Sequence, residues 1–291
     1  MWDELTGVVG RVAETVSPSV VRIGRNRGRG AGIVVGDGLV CTNAHNLRGS
    51  EVTVTFAGGR TETGTVAGVD ADGDLAVLAV ETGGAPGLVM RDEPPVLGLP
   101  VFAVANRASG PRVTVGTVSA LGQTFRGPGG RRLGGSVEHT APLGRGSSGG
   151  PVVDAAGRLV GINTNRLPDG FYLALPATPE LRARVEGLGR GESPTTRRLG
   201  VALAPAHAAR QLRRAVGLPE RDGLLVRAVE DDSPAAAAGL RQGDLIVEAD
   251  GRPLLSADDL FDVLDGLAPD ATLRLRIARG VDELEVAAAL T

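Results

Sequence analysis

A serine stands on a glycine-rich turn in Gly146-Ser147-Ser148-Gly149-Gly150-Pro151. That pattern suits a nucleophile. The backbone beside it must approach a substrate carbonyl, and glycine permits the approach without a Cβ clash. The N–H groups of Gly146 and Ser148 are candidate donors to a developing oxyanion. Two other residues give the serine a chemistry. His45 closes Leu39-Val40-Cys41-Thr42-Asn43-Ala44-His45, an apolar strand that runs into a turn. Asp74 opens Asp74-Leu75-Ala76-Val77-Leu78-Ala79-Val80, so its carboxylate sits at the mouth of an apolar run and needs a partner. The imidazole N–H of His45 would be that partner. In this candidate triad, Ser148 attacks an acyl carbon, His45 carries the proton, and Asp74 fixes the imidazole tautomer.

The motifs carry a resemblance. Thr42-Asn43-Ala44-His45, Asp74-Leu75-Ala76-Val77-Leu78, Gly146 to Pro151 and Val160-Gly161-Ile162-Asn163-Thr164 resemble those of the HtrA/Deg family of trypsin-like serine proteases. The likeness runs over nearly the whole chain. It implies a mainly β fold, a trypsin-like double β-barrel followed by an α/β PDZ domain. It implies an ATP-independent serine endopeptidase of protein quality control, without a cofactor, that cleaves unfolded or damaged proteins. A proteolytically silent peptide-binding or chaperone protein on the same frame is the alternative. Such proteins commonly assemble as trimers through their N-terminal segment, so a homotrimer is expected, with Trp2 contributing. The family commonly has asparagine where Ser147 stands here. Trypsin relatives activated by cleavage use aspartate at that position, so Ser147 argues against a zymogen switch.

In trypsin-like folds the stretch before the nucleophile lines the primary pocket. Here it is Ala141-Pro142-Leu143-Gly144, with no acidic residue, and Gly161-Ile162-Asn163-Thr164 forms the opposite wall. Leu143, Ile162 and Asn163 are the candidate pocket residues. They imply cleavage after small or medium apolar residues rather than after arginine or lysine.

The elements that must position these groups are legible in outline. Leu5, Val8, Val9 and Val12 recur with helical spacing over 3–16, and Ser17-Pro18 stops the helix. Two groups of short strands follow, from Val20 to about Met90 and from about Val101 to Leu175. Their turns include Gly36-Asp37-Gly38, Asp72-Gly73 and Gly127-Pro128-Gly129-Gly130. That spacing suits two small barrels, with the triad across the groove between them. Pro176 to Glu186 reads as a closing helix. The expected division is therefore a helical segment 1–18, a protease domain 19–186, a linker 187–196 and a PDZ domain 197–291.

The last region carries Ser233-Pro234-Ala235-Ala236-Ala237-Ala238-Gly239-Leu240, a short helix with serine as N-cap and glycine as stop. Gly243-Asp244-Leu245-Ile246 then enters a strand, and Ser256 with Asp259 opens a further helix as a capping box. This pattern resembles a PDZ domain. The resemblance puts Leu199, Gly200 and Val201 at a peptide C-terminus, with the peptide pairing along Val201 and Leu203. Leu260, Val263 and Leu264 would wall the groove.

Composition narrows the class. The chain has 291 residues, net charge −3, 42% hydrophobic residues and 2% aromatic ones, so aliphatic side chains must fill the cores. No lysine is present, and we read the all-arginine usage as genomic base composition. No broad basic field for nucleic acid is implied. Arg25-Asn26-Arg27-Gly28-Arg29 reads as a solvated loop. One cysteine, Cys41, rules out an intramolecular disulfide and suits a reducing compartment. The start Met1-Trp2-Asp3-Glu4 shows no signal-peptide pattern, and no apolar run reaches the ~18 residues that span a bilayer. The expectation is a cytoplasmic chain, although such relatives are often exported or membrane-tethered. Three decoys fail. Asp70, Asp72, Asp74 and Glu81 mimic a calcium loop, but Leu75 stands where the loop needs glycine. Cys41 and His45 have no second ligand pair, and His139 and His207 are isolated, so no metal is expected. Gly28-x-Gly30-x-Gly32 leads into a strand rather than a helix, so nucleotide binding fails.

Overall fold

The computed structural model describes residues 2–24, 30–127, 132–194, 198–204, 206–268 and 270–290. The Arg25 to Arg29 run, most of the Gly127 to Gly130 turn, the end of the expected linker and the His207 side chain lie outside the described residues. The chain forms two compact units, Met1–Pro194 and Thr195–Thr291.

In the first unit, helix α1 spans Trp2–Val16. Six strands follow: β1 Val20–Ile23, β2 Gly30–Gly36, β3 Leu39–Thr42, β4 Glu51–Thr55, β5 Thr61–Asp70 and β6 Leu75–Ala79. They close into a barrel in the order β1-β2-β3-β6-β5-β4. A second closed barrel has the order β10-β11-β12-β9-β8-β7. Its strands are β7 Pro100–Arg107, β8 Gly110–Arg126, β9 Arg132–His139, β10 Pro151–Val153, β11 Leu159–Arg166 and β12 Tyr172–Pro176. Closure removes free strand edges, which suits a chain built from short valine-rich runs.

Each barrel has its own aliphatic interior: Val21, Val34, Val40, Val54 and Leu78 in the first, Val101, Val118, Val137, Val152 and Val160 in the second. A third cluster joins them. Ile33, Cys41, Leu75 and Val77 of the first barrel meet Leu159, Ile162, Leu173 and Leu175 of the second. Cys41 is wholly buried within it, and burial pushes its thiol up to about 12. It is therefore an inert apolar side chain rather than a reactive one.

Helix α2, Pro179–Gly189, closes the unit. Thr178 caps it by accepting from Leu181 N at 3.3 Å. The helix runs past Glu186 into what composition reads as linker, which is a correction to the expected boundary. Gly187 and Leu188 are buried, and a Cβ at Gly68 would lie 2.5 Å from the Leu188 carbonyl oxygen. Val69 N donates to Ser193 Oγ at 3.0 Å. These glycines serve close packing, not freedom.

The apolar stripe of α1 packs on the second barrel. Val12 and Val16 join Val20, Phe102, Val104 and Val153, with Leu5, Val8 and Val9 at the margin. Trp2 stays 74% exposed.

The second unit is a six-stranded sheet of order β13-β14-β15-β17-β18, with β16 paired to β15. In chain order its elements are β13 Val201–Ala204, α3 Ala206–Ala215, β14 Leu224–Val229, α4 Pro234–Ala237, β15 Leu245–Ala249, β16 Arg252–Pro253, α5 Ala257–Gly266, β17 Thr272–Arg279 and β18 Asp282–Ala289. Ser233 Oγ accepts from Ala236 N at 3.2 Å, capping α4. Asp259 Oδ2 accepts from Ser256 N at 2.6 Å, completing the capping box of α5. Among the described residues, no helix is long and apolar enough to cross a membrane.

Phe102 is the anchor of α1, at 2% exposure. Phe102→Ala is expected to cost about 3–5 kcal/mol of stability. Urea unfolding measures the loss, and limited proteolysis at α1 shows whether the helix has loosened.

Candidate active site

Asp74 lies in the turn that enters β6, with φ of +51° and 1% exposure. Aspartate tolerates this left-handed backbone better than most residues. The turn is braced from both sides. Asp70 Oδ1 accepts from Gly73 N at 2.8 Å and Asp70 pairs with Arg184 of α2, while Asn43 Nδ2 donates to the Asp74 carbonyl at 2.9 Å.

A carboxylate this buried needs donors, and Asp74 has three. His45 N donates to Oδ1 at 3.1 Å. His45 Nδ1 lies 2.9 Å from each carboxylate oxygen. Thr164 Oγ1 donates to Oδ2 at 2.6 Å. Because the carboxylate only accepts, Nδ1 carries the proton and Nε2 is left as the basic nitrogen. His45 sits in a single 3₁₀ turn, Ala44–Asn46, that follows β3.

Ser148 is held by the first barrel as well as its own. Its carbonyl accepts from Ala31 N at 2.8 Å and from Asn46 Nδ2 at 3.0 Å. Gly149 N donates to Asn163 O at 2.7 Å, and Asn163 N donates to Gly150 O at 2.9 Å. Gly149 has φ of +87°, and a Cβ there would run into the Ala31 carbonyl and lie 2.7 Å from Thr42 Oγ1. Only glycine allows this crossing of two barrels. Gly146 also has positive φ, +79°.

The Ser148 hydroxyl donates to the Thr164 carbonyl at 3.2 Å and forms no hydrogen bond with His45. The structure thus brings His45 and Asp74 into direct contact and sets Ser148 against Thr164, the residue that also holds Asp74. The sequence reading sets Thr164 on the pocket wall but gives it no part in holding Asp74. A hydroxyl two positions beyond the buried Ile162 was the available signal.

A cleft of about 190 Å³ opens beside Ser148. Leu143, Asn163, Gly146 and Ser148 line it, together with Arg145, Thr164, Arg166 and Tyr172. Two corrections follow. Ile162 is fully buried in the cluster between the barrels, so it lines no pocket. The walls are also not chiefly apolar, because two arginines reach them.

Behind the cleft, His139 is wholly buried and stacks on Tyr172 at 5.8 Å between ring centroids. Its Nε2 donates to Asn163 Oδ1 at 2.9 Å, and Asn163 Nδ2 reaches Gly150 O at 3.1 Å. His139 thereby orients a wall residue and the loop after Ser148. Burial lowers its affinity for a proton, against a smaller opposite effect of the Asn163 bond.

In the second unit, Leu199 is buried in the core and its carbonyl accepts from Ala235 N at 2.9 Å. Gly200 has φ of +79°, and a Cβ there would run into Ser233. Val201 and Leu203 are partly buried on β13, which among the described residues pairs only with β14 and so forms one edge of the sheet. Leu260, Val263 and Leu264 of α5 are 3%, 6% and 2% exposed. They are members of the core, a correction to their expected place on a groove wall.

Barrels, cleft and sheet define a trypsin-like peptidase joined to a PDZ domain. Residues 30–162 match the trypsin-like peptidase domain family and residues 198–290 the PDZ domain family. The chain is 33% identical over 278 residues to HhoA of Synechocystis sp., which bears the name of a serine protease; the match covers 88% of this chain and 68% of the relative. It is 29% identical over 272 residues to the serine endoprotease DegS of Escherichia coli K12, covering 88% and 74%. Among solved structures, the serine endoprotease of Yersinia pestis aligns with a TM-score of 0.60 and 26% identity over 97% of both chains. The chain belongs to the HtrA family of serine endoproteases.

The buried His139 generates a pH dependence. Its proton affinity is lowered in the fold from an ordinary value of 6.5, so the unfolded chain takes up the proton first as pH falls. Stability is expected to be full above about pH 6.5 and to fall below it, by up to about 1.4 kcal/mol per pH unit. Urea unfolding from pH 7.5 to 5.5, compared with His139→Gln, measures this; a decline of equal slope in both proteins contradicts it.

Proposed function

We propose that Ser148 is the nucleophile, His45 the general base and acid, and Asp74 the group that fixes the His45 tautomer and stabilises the imidazolium. One observation carries the reading: Asp74 holds His45 Nδ1 at 2.9 Å, which leaves Nε2 as the basic nitrogen. In this reading the Ser148 side chain leaves the Thr164 carbonyl and passes its proton to Nε2. Attack on a peptide carbonyl then gives an acyl-enzyme, His45 protonates the leaving amine, and water completes hydrolysis. The N–H groups of Gly146 and Ser148 are our candidates for stabilising the oxyanion.

The cleft volume supports small or medium side chains at the residue whose carbonyl is attacked, and the arginines at its walls disfavour lysine and arginine. Unfolded or damaged proteins are the natural substrates in this reading, because only an extended chain can offer its backbone to a groove between barrels. On the second unit, the free edge of β13 supports strand addition by a peptide whose C-terminus meets Leu199, Gly200 and Val201. A homotrimer built through α1 is supported by the exposed Trp2 at its start. The lone buried Cys41 suits a reducing compartment, whereas several relatives are named as periplasmic.

The bond from Ser148 to Thr164 O favours a second reading, a resting site that binds unfolded chains without cutting them. Incubation of the protein and Ser148→Ala with casein separates the two. Cleavage by the former alone, with fluorophosphonate labelling of Ser148, is the expected result; intact casein in both cases, over a range of pH and temperature, supports the silent reading. Thr164→Val keeps shape but removes a charge-assisted hydrogen bond worth about 1.5–3 kcal/mol. We expect kcat/KM to fall about tenfold or more, with the folded state retained.

A further inference from the structure

The cleft beside Ser148 carries positive charge from two directions. Arg145 and Arg166 line it. Gly144, another lining residue, is backed by two more guanidinium groups: a Cβ there would run into Arg107 and lie 3.4 Å from Arg112 Nη1. Those two residues flank the turn between β7 and β8, where Arg107 pairs with Gly110. The absence of a side chain at Gly144 is what lets the Arg107 head pack against this lining residue. Arg166, with its Cζ 5.7 Å from the Tyr172 ring centroid, lines the cleft together with that ring.

These charges are not neutralised by the protein. Among the described residues, none of the four arginines forms an ion pair, whereas Arg60, Arg158 and Arg184 of the same unit pair with Glu62, Asp154 and Asp70. Two acids of this unit are engaged elsewhere. Asp74 is saturated by His45 and Thr164, and Glu138 accepts from Ser119 Oγ at 2.8 Å. A guanidinium presents a planar fork of donors that matches a carboxylate, and the match strengthens where water is partly excluded.

We propose that the cleft selects peptides with an aspartate or glutamate side chain seated beside Ser148, and that Arg166 and Arg145 are specificity-determining residues, with Arg107 and Arg112 adding to the field. The proposal rests on Ser148 being the nucleophile. It replaces the apolar preference expected from Leu143. A cavity of about 190 Å³ accommodates either acidic side chain.

The test uses the full chain and quenched peptides, blocked at both ends, that differ only in carrying Glu, Gln, Val or Lys at one position. The expected order is Glu first and Lys last, with Glu above its isostere Gln by about tenfold or more in kcat/KM, the fold-change of one charge-assisted hydrogen bond. The gap narrows at high salt. In Arg166→Gln, and separately in the double variant Arg107→Gln with Arg112→Gln, the Glu-to-Gln ratio is taken within each variant, so a general loss of activity cancels. The ratio is expected to fall toward one in the first and partway in the second. Equal rates for Glu and Gln in the unaltered protein, or a ratio unchanged in both variants, would overturn the proposal. A second arm needs no turnover: fluorescence anisotropy of the same peptides, labelled, on Ser148→Ala. Tighter binding of Glu than Gln supports the anionic subsite, and equal binding sinks it. Failure of the protease reading looks different, because no peptide is cut and no fluorophosphonate is taken up while the binding arm still reports.

Discussion

A negative charge buried at 1% exposure is the constraint on which this site depends. Left alone, the Asp74 carboxylate would be among the most expensive groups in the fold. It is tolerable because donors from two barrels converge on it, the His45 backbone and ring from one and the Thr164 hydroxyl from the other. The aspartate therefore does two jobs with one set of bonds. It orients the imidazole, and it makes the correct apposition of the barrels a condition of satisfying its own charge. The apolar cluster of Ile33, Leu75, Ile162 and Leu175 supplies the association, while the carboxylate specifies its register.

The Ser148 loop obeys a second constraint, one of space. Gly149 brings the second barrel's backbone against Ala31 of the first, closer than any side chain permits. Once there, Ala31 and Asn46 both donate to the Ser148 carbonyl. Thr42 extends the network by donating to the Ala31 carbonyl at 2.7 Å while accepting from Asn46 Nδ2 at 3.0 Å. The motif around His45 and the motif around Ser148 are thus two halves of one hydrogen-bonded seam.

Much of this was legible in the sequence, and the rest fails for identifiable reasons. His45, Asp74 and Ser148 are marked by local context: a strand end, a turn before an apolar run, a glycine turn. The stripe of α1 and the caps of α4 and α5 are written in spacing alone. Ile162 was misread because β11 is buried continuously from Leu159 to Thr164, so no alternation tells which face meets the cleft. Leu260, Val263 and Leu264 have helical spacing, and that spacing cannot separate a core from a groove beside it. Gly187 and Gly189 look like linker until Gly68 and Leu39 are seen packed against this end of α2. Helix α3 repeats its apolar positions at helical spacing, but in Ala-His-Ala-Ala-Arg-Gln-Leu-Arg-Arg-Ala only Leu212 is a large apolar residue, and the sequence reading leaves the helix out. Arg107 and Arg112 carry no sign in sequence that they stand behind Gly144.

The clamp on the Ser148 carbonyl has a kinetic meaning. Its main chain is tethered at two points, whereas its hydroxyl is tethered at one, through a 3.2 Å bond. Leaving that bond requires only a torsional jump of a small side chain, a motion of picoseconds to nanoseconds. On the proposed role of Ser148, that exchange settles before substrate arrives, and the Thr164 bond alone adds no slow step.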